Sequence, residues 1–126
     1  MKRELRIPDY LEHMRDAIAK ILRYIEGMDW EAFATDSLTQ DATIRNFEVL
    51  GEIARDILRA DPKFIERHPD FPLGNAIGMR NTLIHGYLDV KIDVVGKTAR
   101  EDLPGLALKV GQILSALKAQ RGEASP

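Results

Sequence analysis

Apolar residues recur along this chain at intervals of three and four, the spacing that places side chains on one face of an α-helix. The clearest stripe, near the N-terminus, comprises Leu11, Met14, Ile18, Ile21, Leu22 and Ile25. Pro8 and Asp9 precede it and predict a helix start with Asp9 as the N-cap, and Gly27 predicts its end. No segment shows the two-residue alternation of a strand, so the pattern predicts an all-α protein.

The remaining helices are predicted from apolar faces and from residues that favour helix starts. They are expected at 29–33, 37–60, a short segment opened by Asp61 and Pro62, 74–88, 94–101 and after Pro104. Ser37, with Gln40 three residues later, has the form of a capping box, and Asp93 is a further candidate N-cap. Gly51 lies in the longest helix and predicts close approach by a neighbouring helix.

Short connections between amphipathic helices favour an antiparallel helical bundle. The 126 residues suffice for one core, so a single domain is expected over residues 1–126, with a frayed tail at 122–126. The lack of cysteine excludes disulfides, thiolate metal sites and a cysteine nucleophile. Because no apolar run has membrane-spanning length and no signal peptide is visible, a cytoplasmic protein without a membrane partner is expected.

The charge balance limits which partners fit the chain. With 18 basic and 20 acidic residues the net charge is −2, so a broad electrostatic attraction to nucleic acid is not expected. Any contact with a polyanion therefore has to be local. No group of histidines and carboxylates has the spacing of metal ligands, and no cofactor is expected.

The segment with the strongest chemical content is residues 78–87, which read GMRNTLIHGY. On a helical wheel each residue advances about 100°, so Asn81 and His85 are neighbours one turn apart, and Arg80 and Tyr87 stack about two turns apart. The apolar arc of the same wheel consists of Ala76, Ile77, Leu83, Ile84 and Leu88. Arg80 and Tyr87 fall inside this arc. Because burying an unpaired guanidinium is costly, Arg80 is expected to have a partner, line a cleft or face a subunit interface.

These residue types suit cleavage of a phosphodiester in RNA. An arginine can neutralise charge that develops on phosphate oxygens, and a histidine can transfer protons near neutral pH. RNA carries its own nucleophile, the 2′-hydroxyl, so Arg80 and His85 would need no metal ion. Asn81 could orient His85 or hold a phosphate oxygen. One such set per chain is sparse, and a twofold dimer would bring two sets into one cleft.

A structural explanation of the same residues stays open. From spacing alone, a paired arginine and a histidine near a helix end are more common than a catalytic pair. A lone tyrosine such as Tyr87 is more often a packing residue. Glu48 and Glu52 lie one turn apart, and either could partner Arg45 or Arg80, although a solvated face is the simpler expectation.

The sequence resembles the HepT-like family, within the HEPN superfamily of small all-helical ribonucleases and RNA-associated modules. Residues 78–87 resemble the family signature of an arginine, a polar residue, a histidine and a tyrosine in a helical context. Residues 44–54, ending in LGEIA, resemble the second long helix of the family, and residues 24–33 and 102–104 also fit. The resemblance covers most of residues 8–118.

This resemblance implies a toxin of a toxin–antitoxin pair that acts as a metal-independent endoribonuclease and as a homodimer, with one cleft built from both chains. Arg80 and His85 match the family's catalytic pair and Asn81 its polar companion. The antitoxin of such pairs is typically a minimal, MntA-like nucleotidyltransferase, which silences the toxin by transferring AMP to the motif tyrosine, here Tyr87. On the helical wheel Tyr87 lies on the Arg80 side, so an added AMP would fill the cleft.

Two other functions remain as alternatives. The chain could be a non-catalytic helical partner or substrate of a nucleotidyltransferase, for which Tyr87 is again the relevant residue. It could also be a plain dimeric scaffold. AMP transfer to Tyr87 without nuclease activity would indicate the first of these, and the absence of both activities would indicate the second.

Overall fold

The computed structural model describes residues 6–120, and its regular structure over that range consists entirely of helices. They are α1 (Ile7–Ile25), α2 (Trp30–Ala34), α3 (Ser37–Ala60), α4 (Phe64–Arg67), α5 (Leu73–His85), α6 (Ile92–Glu101) and α7 (Leu103–Gln120). The all-α prediction is confirmed. The predicted tail at 122–126 lies outside the described residues. No described helix combines the length and apolar content that a bilayer crossing requires.

The core is centred on the contact between α1 and α3, with α5 packed along α3 and α7 along α1. The predicted stripe of α1 supplies much of it. Fully or almost fully buried side chains of α1, α3 and α7 are Leu11, Met14, Ile18, Ile21, Leu50, Ala54, Ile57, Val110 and Leu114. Burial of each large aliphatic side chain contributes roughly 1.5–3 kcal/mol, which makes this contact the main source of stability.

The start of α1 differs from the prediction by three residues, because the predicted N-cap was Asp9. The helix begins at Ile7 with Arg6 as the N-cap, so Asp9 is the third helical residue. Its carboxylate Oδ2 accepts a hydrogen bond from the Arg6 backbone N–H at 3.1 Å. Pro8 fits inside the first turn because the N–H that proline lacks would have no helical partner there. The predicted end is confirmed, since Gly27 follows α1 with a φ of 74°.

The cap of α3 is Asp36 and not the predicted Ser37. Asp36 Oδ1 accepts from the Thr39 backbone N–H at 3.0 Å, and Oδ2 accepts from the Thr39 hydroxyl at 2.8 Å. These two bonds lower the pKa of the Asp36 carboxyl below its ordinary value. Gln40 donates instead to the Phe33 carbonyl at 2.8 Å, which ties α3 to the end of α2. Hydrogen bonds to an ionised carboxylate are stronger than those to a neutral hydroxyl, which favours Asp36 over Ser37 as the cap.

Two other predicted N-caps are also wrong. Asp61 closes α3 through its N–H to the Ile57 carbonyl at 2.8 Å, and its carboxylate pairs with Arg67, while α4 begins at Phe64. Asp93 lies in the first turn of α6, whose N-cap is Lys91. Asp93 is in the first helical turn, where its charge is favourable, but Lys91 occupies the cap, and Lys63 occupies the cap of α4.

Candidate active site at the crossing of α3 and α5

The helices α3 and α5 approach most closely at Gly51. A Cβ atom added there would lie 2.1 Å from Arg80 Cβ and 2.7 Å from the Ala76 carbonyl oxygen. No side chain larger than hydrogen fits in this space, so the prediction of a close helix approach at Gly51 is confirmed. The contact also fixes the base of the Arg80 side chain against the backbone of α3.

The Arg80 guanidinium is held at two points. Its side chain is only 19% exposed, and Nε lies 3.1 Å from Glu52 Oε2. The Nε–H bond is not aligned with an acceptor, so this contact is an ion pair without a hydrogen bond. Nη1 donates to Asn81 Oδ1 at 2.9 Å. The expectation that an arginine in the apolar arc needs a partner is therefore met within the chain, by Glu52.

Glu52 partners Arg80, one of the two arginines its spacing allows, and it is not simply part of a solvated face. Its side chain is half-exposed and lies 3.8 Å from Arg55 as well as beside Arg80. Within residues 6–120, Glu48 and Arg45 take part in no ion pair. The signal that distinguishes Glu52 is its position next to Gly51, because the residue beside the closest helix approach is the one that can reach across it.

Asn81 and His85 lie on the exposed side of α5. The helix is regular through His85, so their predicted separation of one turn holds. The Asn81 side-chain oxygen accepts from Arg80, and among the described residues there is no hydrogen bond between Asn81 and His85. Asn81 thus links to the arginine of the motif, and its amide N–H groups stay available as donors. The His85 ring has no hydrogen-bond partner in the described part of the chain.

The position of Tyr87 differs from the prediction. α5 ends at His85, where the Gly86 N–H bonds the Thr82 carbonyl at 2.9 Å, and residues 86–89 form a turn. The helical wheel that placed Tyr87 on the Arg80 side assumed a helix to Leu88, and that assumption is wrong, so the wheel no longer supports the placement. Glycine is a poor helix former, and Gly86 stops the helix after only 13 residues. Tyr87 is 72% exposed and Leu88 is 87% exposed.

A row of large apolar side chains is therefore uncovered next to His85. Ile84 is also exposed, so Ile84, Tyr87 and Leu88, which we call the apolar row, all lie at the surface within five residues of one another in sequence. Leu83, between them, is buried in the core. Exposed apolar side chains this close in sequence are candidates for a contact with another molecule.

A groove of about 370 Å³ between α3, α5, α6 and α7 is lined largely by apolar residues. Met79 of the motif segment contributes to it, but Arg80, Asn81, His85 and Tyr87 do not. Within residues 6–120, no cluster of three or more histidine, aspartate or glutamate side chains is arranged to hold a metal ion.

Comparison with known proteins gives this site a context. The family model described as "Ribonuclease HepT-like" matches residues 14–113, a range that includes Glu52 and the whole motif. A protein of Thermococcus cleftensis named "Probable ribonuclease HepT" is 38% identical over 99 residues, which are 78% of this chain and 86% of that protein.

Two further relatives are also named as ribonucleases. A "Putative RNase" of Caldanaerobacter subterraneus subsp. tengcongensis is 29% identical over 86% of this chain and 95% of its own. Another protein so named, from Methanocaldococcus jannaschii, is 33% identical over 87% of this chain and 89% of its own. No solved structure matches the chain significantly. The family model and the relatives together establish that this chain belongs to the HepT-like ribonuclease family.

Proposed function

We propose that this chain is a metal-independent endoribonuclease and the toxin of a toxin–antitoxin pair, active as a homodimer. One observation carries the proposal. A nearly buried arginine, paired with Glu52 and hydrogen-bonded to Asn81, lies on the same short helix as an exposed histidine, in a member of a ribonuclease family. An arginine held in this way, close in sequence to a histidine that other molecules can reach, suits a reaction that needs both charge stabilisation and proton transfer.

The proposed reaction is an attack by the RNA on its own phosphodiester. The 2′-hydroxyl gives its proton to a His85 imidazole as the 2′-oxygen forms a bond to phosphorus. The bond between phosphorus and the 5′-oxygen then breaks, and a protonated His85 supplies the proton to that leaving oxygen. The products are a 2′,3′-cyclic phosphate and a 5′-hydroxyl. Arg80 stabilises the extra negative charge on the phosphorane oxygens, and Asn81 keeps Arg80 in place.

The two proton transfers support a dimer. Each chain supplies one His85, so two chains provide a base and an acid in one cleft. The apolar row flanks His85 in sequence, with Ile84 on α5 and Tyr87 and Leu88 in the turn that follows, and it is the proposed contact surface for a second copy. In this arrangement the two histidines would lie close to the twofold axis.

Control by a nucleotidyltransferase antitoxin is supported by the exposure of Tyr87. In the proposed step the Tyr87 hydroxyl oxygen bonds to the α-phosphorus of ATP, its proton passes to a base of the transferase, and pyrophosphate leaves. A side chain that is 72% exposed in a turn can enter the active site of another enzyme. The product carries a bulky anion two residues from His85, where it would obstruct RNA.

The proposed nuclease activity is tested with purified protein and a fluorescently labelled RNA in the presence of EDTA. Wild type is expected to cut the RNA and leave 2′,3′-cyclic phosphate ends, and His85→Ala is expected to be inactive. His13→Ala is the matched control, because His13 is an exposed histidine on α1. Equal rates for wild type and His85→Ala would exclude the proposed mechanism.

A second candidate function is a non-catalytic partner that serves as the substrate of a nucleotidyltransferase. The exposure of Tyr87 fits this function equally well, and the Arg80 contacts would then serve only the packing of α5 on α3. The two functions are separated by intact-mass measurement after co-expression with a minimal nucleotidyltransferase, together with the RNA assay. An adduct of AMP mass on Tyr87, in a protein that is inactive on RNA before modification, would favour the second function.

A further inference from the structure

Glu52 is the residue that determines which part of the Arg80 guanidinium is free. The base of the arginine side chain is fixed where α5 crosses Gly51, but that contact involves only Cβ and Cγ. Rotation about the remaining bonds would still let the guanidinium swing. The Glu52 carboxylate, 3.1 Å from Nε, is the charged group that opposes this rotation from the α3 side.

The two contacts leave a defined edge of the guanidinium. Nε is inaccessible to solvent, so no phosphate oxygen can reach it. One N–H of Nη1 is occupied by Asn81 Oδ1. A guanidinium carries five N–H donors, of which the second N–H of Nη1 and both of Nη2 then remain. No described residue accepts from Nη2. Within the described chain, therefore, the Nη1–Nη2 edge of the guanidinium is available to a ligand and the Nε edge is not.

We propose that Glu52 is a positioning residue for the nuclease reaction: it holds Arg80 by Nε so that only the Nη1–Nη2 edge meets the scissile phosphate. This inference rests on the proposed function. Holding the fork in advance removes a reorientation that would otherwise accompany the approach to the transition state. Glu52 itself touches neither the RNA nor the proton that moves.

A carboxylate at this place also has an unfavourable effect on RNA binding, and this effect allows the positioning role to be distinguished from simple charge repulsion. Its negative charge lies near the phosphate and repels it. If repulsion were its only effect, neutral Glu52→Gln would bind RNA more tightly and cleave at an unchanged kcat. If Glu52 positions Arg80, the same variant has a lower kcat, with KM unchanged or lower.

The test compares Glu52→Gln with Glu48→Gln in the RNA cleavage assay. Glu48 lies one turn earlier on α3 and makes no ion pair within residues 6–120, so its variant controls for the loss of one negative charge. We expect roughly a tenfold lower kcat for Glu52→Gln, since a 1 Å misplacement can cost about a hundredfold. Glu48→Gln is expected to match wild type.

A double-mutant cycle shows whether the effect passes through Arg80. Lysine at position 80 keeps the charge but lacks Nε and the planar fork. Glu52→Gln is therefore expected to lower kcat much less in an Arg80→Lys background than in wild type. Equal losses in both backgrounds, or an unchanged kcat in Glu52→Gln, would overturn the proposal.

A measurement without RNA distinguishes failure of this inference from failure of the proposed function. In ¹⁵N NMR spectra the buried Nε–H of Arg80 is expected to exchange slowly with water in wild type and Glu48→Gln, and quickly in Glu52→Gln. Slow exchange in all three proteins would show that Glu52 does not hold Arg80, and would overturn the inference. A different outcome is the expected exchange pattern in a wild-type protein that cleaves no RNA. That outcome would refute the proposed nuclease activity, and with it any role of Glu52 in catalysis. It would still show that Glu52 holds Arg80 in an ion pair.

Discussion

At the scale of single residues, the motif combines one restrained side chain with exposed ones. Arg80 is nearly buried and contacts two polar partners, whereas Asn81, His85 and Tyr87 lie at the surface. Charge stabilisation works best from a group that does not have to reorganise, and proton or group transfer requires a side chain that another molecule can reach. The difference in burial follows the difference in proposed roles.

Replacing Arg80 tests the first of these roles. Arg80→Ala is expected to lower kcat/KM by about 10²–10³, or about 2.7–4 kcal/mol of transition-state stabilisation, if it resembles the loss of one oxyanion-hole donor. Steady-state cleavage rates give this value. Arg45→Ala, an exposed arginine on α3 without an ion pair in the described chain, is the control and should retain the wild-type rate. A loss below threefold for Arg80→Ala would remove Arg80 from the mechanism.

At the scale of elements, the site depends on how closely α5 packs on α3. The packing distance is set by Gly51, and the ion pair between Arg80 and Glu52 forms one residue further along. A larger residue at the crossing would therefore affect both the fold and the position of the guanidinium.

Gly51→Ala is expected to destabilise the protein by about 1–3 kcal/mol, the usual range for overpacking, because the added methyl group would overlap Arg80 Cβ and the Ala76 carbonyl. Urea denaturation measures the change. Gly111→Ala in the middle of α7 is the control: its Cβ would meet no atom within 4 Å, and alanine is the better helix former. That variant should be as stable as wild type or more so. Equal stability of both variants would contradict the close crossing.

The cap of α3 makes stability depend on pH. Bonds from Thr39 lower the pKa of Asp36 in the folded protein, so the ionised carboxylate favours folding. This stabilisation is fully present above the unfolded pKa, near 3.8, and is lost as pH falls through the lower folded value. Asp36→Ala should therefore have a lower Tm than wild type at pH 7, and the difference should shrink as pH falls below 3.8.

Thermal denaturation followed by circular dichroism across this pH range makes the comparison. Asp41→Ala, at an exposed position on α3 where the carboxylate makes no hydrogen bond in the described chain, is the control and should match wild type. A Tm difference for Asp36→Ala that stayed constant down to pH 2 would show that the carboxylate charge does not stabilise this cap.

At the scale of the whole molecule, the apolar row is the feature that a single chain leaves unexplained. Tyr87 and Leu88 are largely exposed in the turn after α5, and Ile84 is partly exposed on the helix itself. The proposed dimer places them in a contact that also brings two His85 side chains together. Assembly and activity should therefore be lost together.

Leu88→Asp is expected to convert a dimer into a monomer, because an aspartate in the contact would be desolvated without a partner. Analytical ultracentrifugation measures the mass, and the RNA assay on the same sample should show lost activity. Leu108→Asp on α7 is the matched control: Leu108 is another exposed leucine, 64% accessible, away from the motif helix. A monomeric wild type that still cleaves RNA would contradict the shared cleft.

The sequence by itself determined the helical class, the main core stripe and the family, because periodicity and local motifs are written in neighbouring residues. It also predicted the close approach at Gly51 and a partner for Arg80. The exact caps at Asp36 and Lys91 were missed, since adjacent residues compete for one cap and a difference in bonding decides between them. Only the tertiary structure selected Glu52 as the partner and placed Tyr87 in a turn beyond the helix. The position of Tyr87 depends on where α5 ends, and the choice of Glu52 depends on where α5 crosses α3. That crossing joins residues about thirty positions apart in sequence, and no local sequence pattern shows that they are close in space.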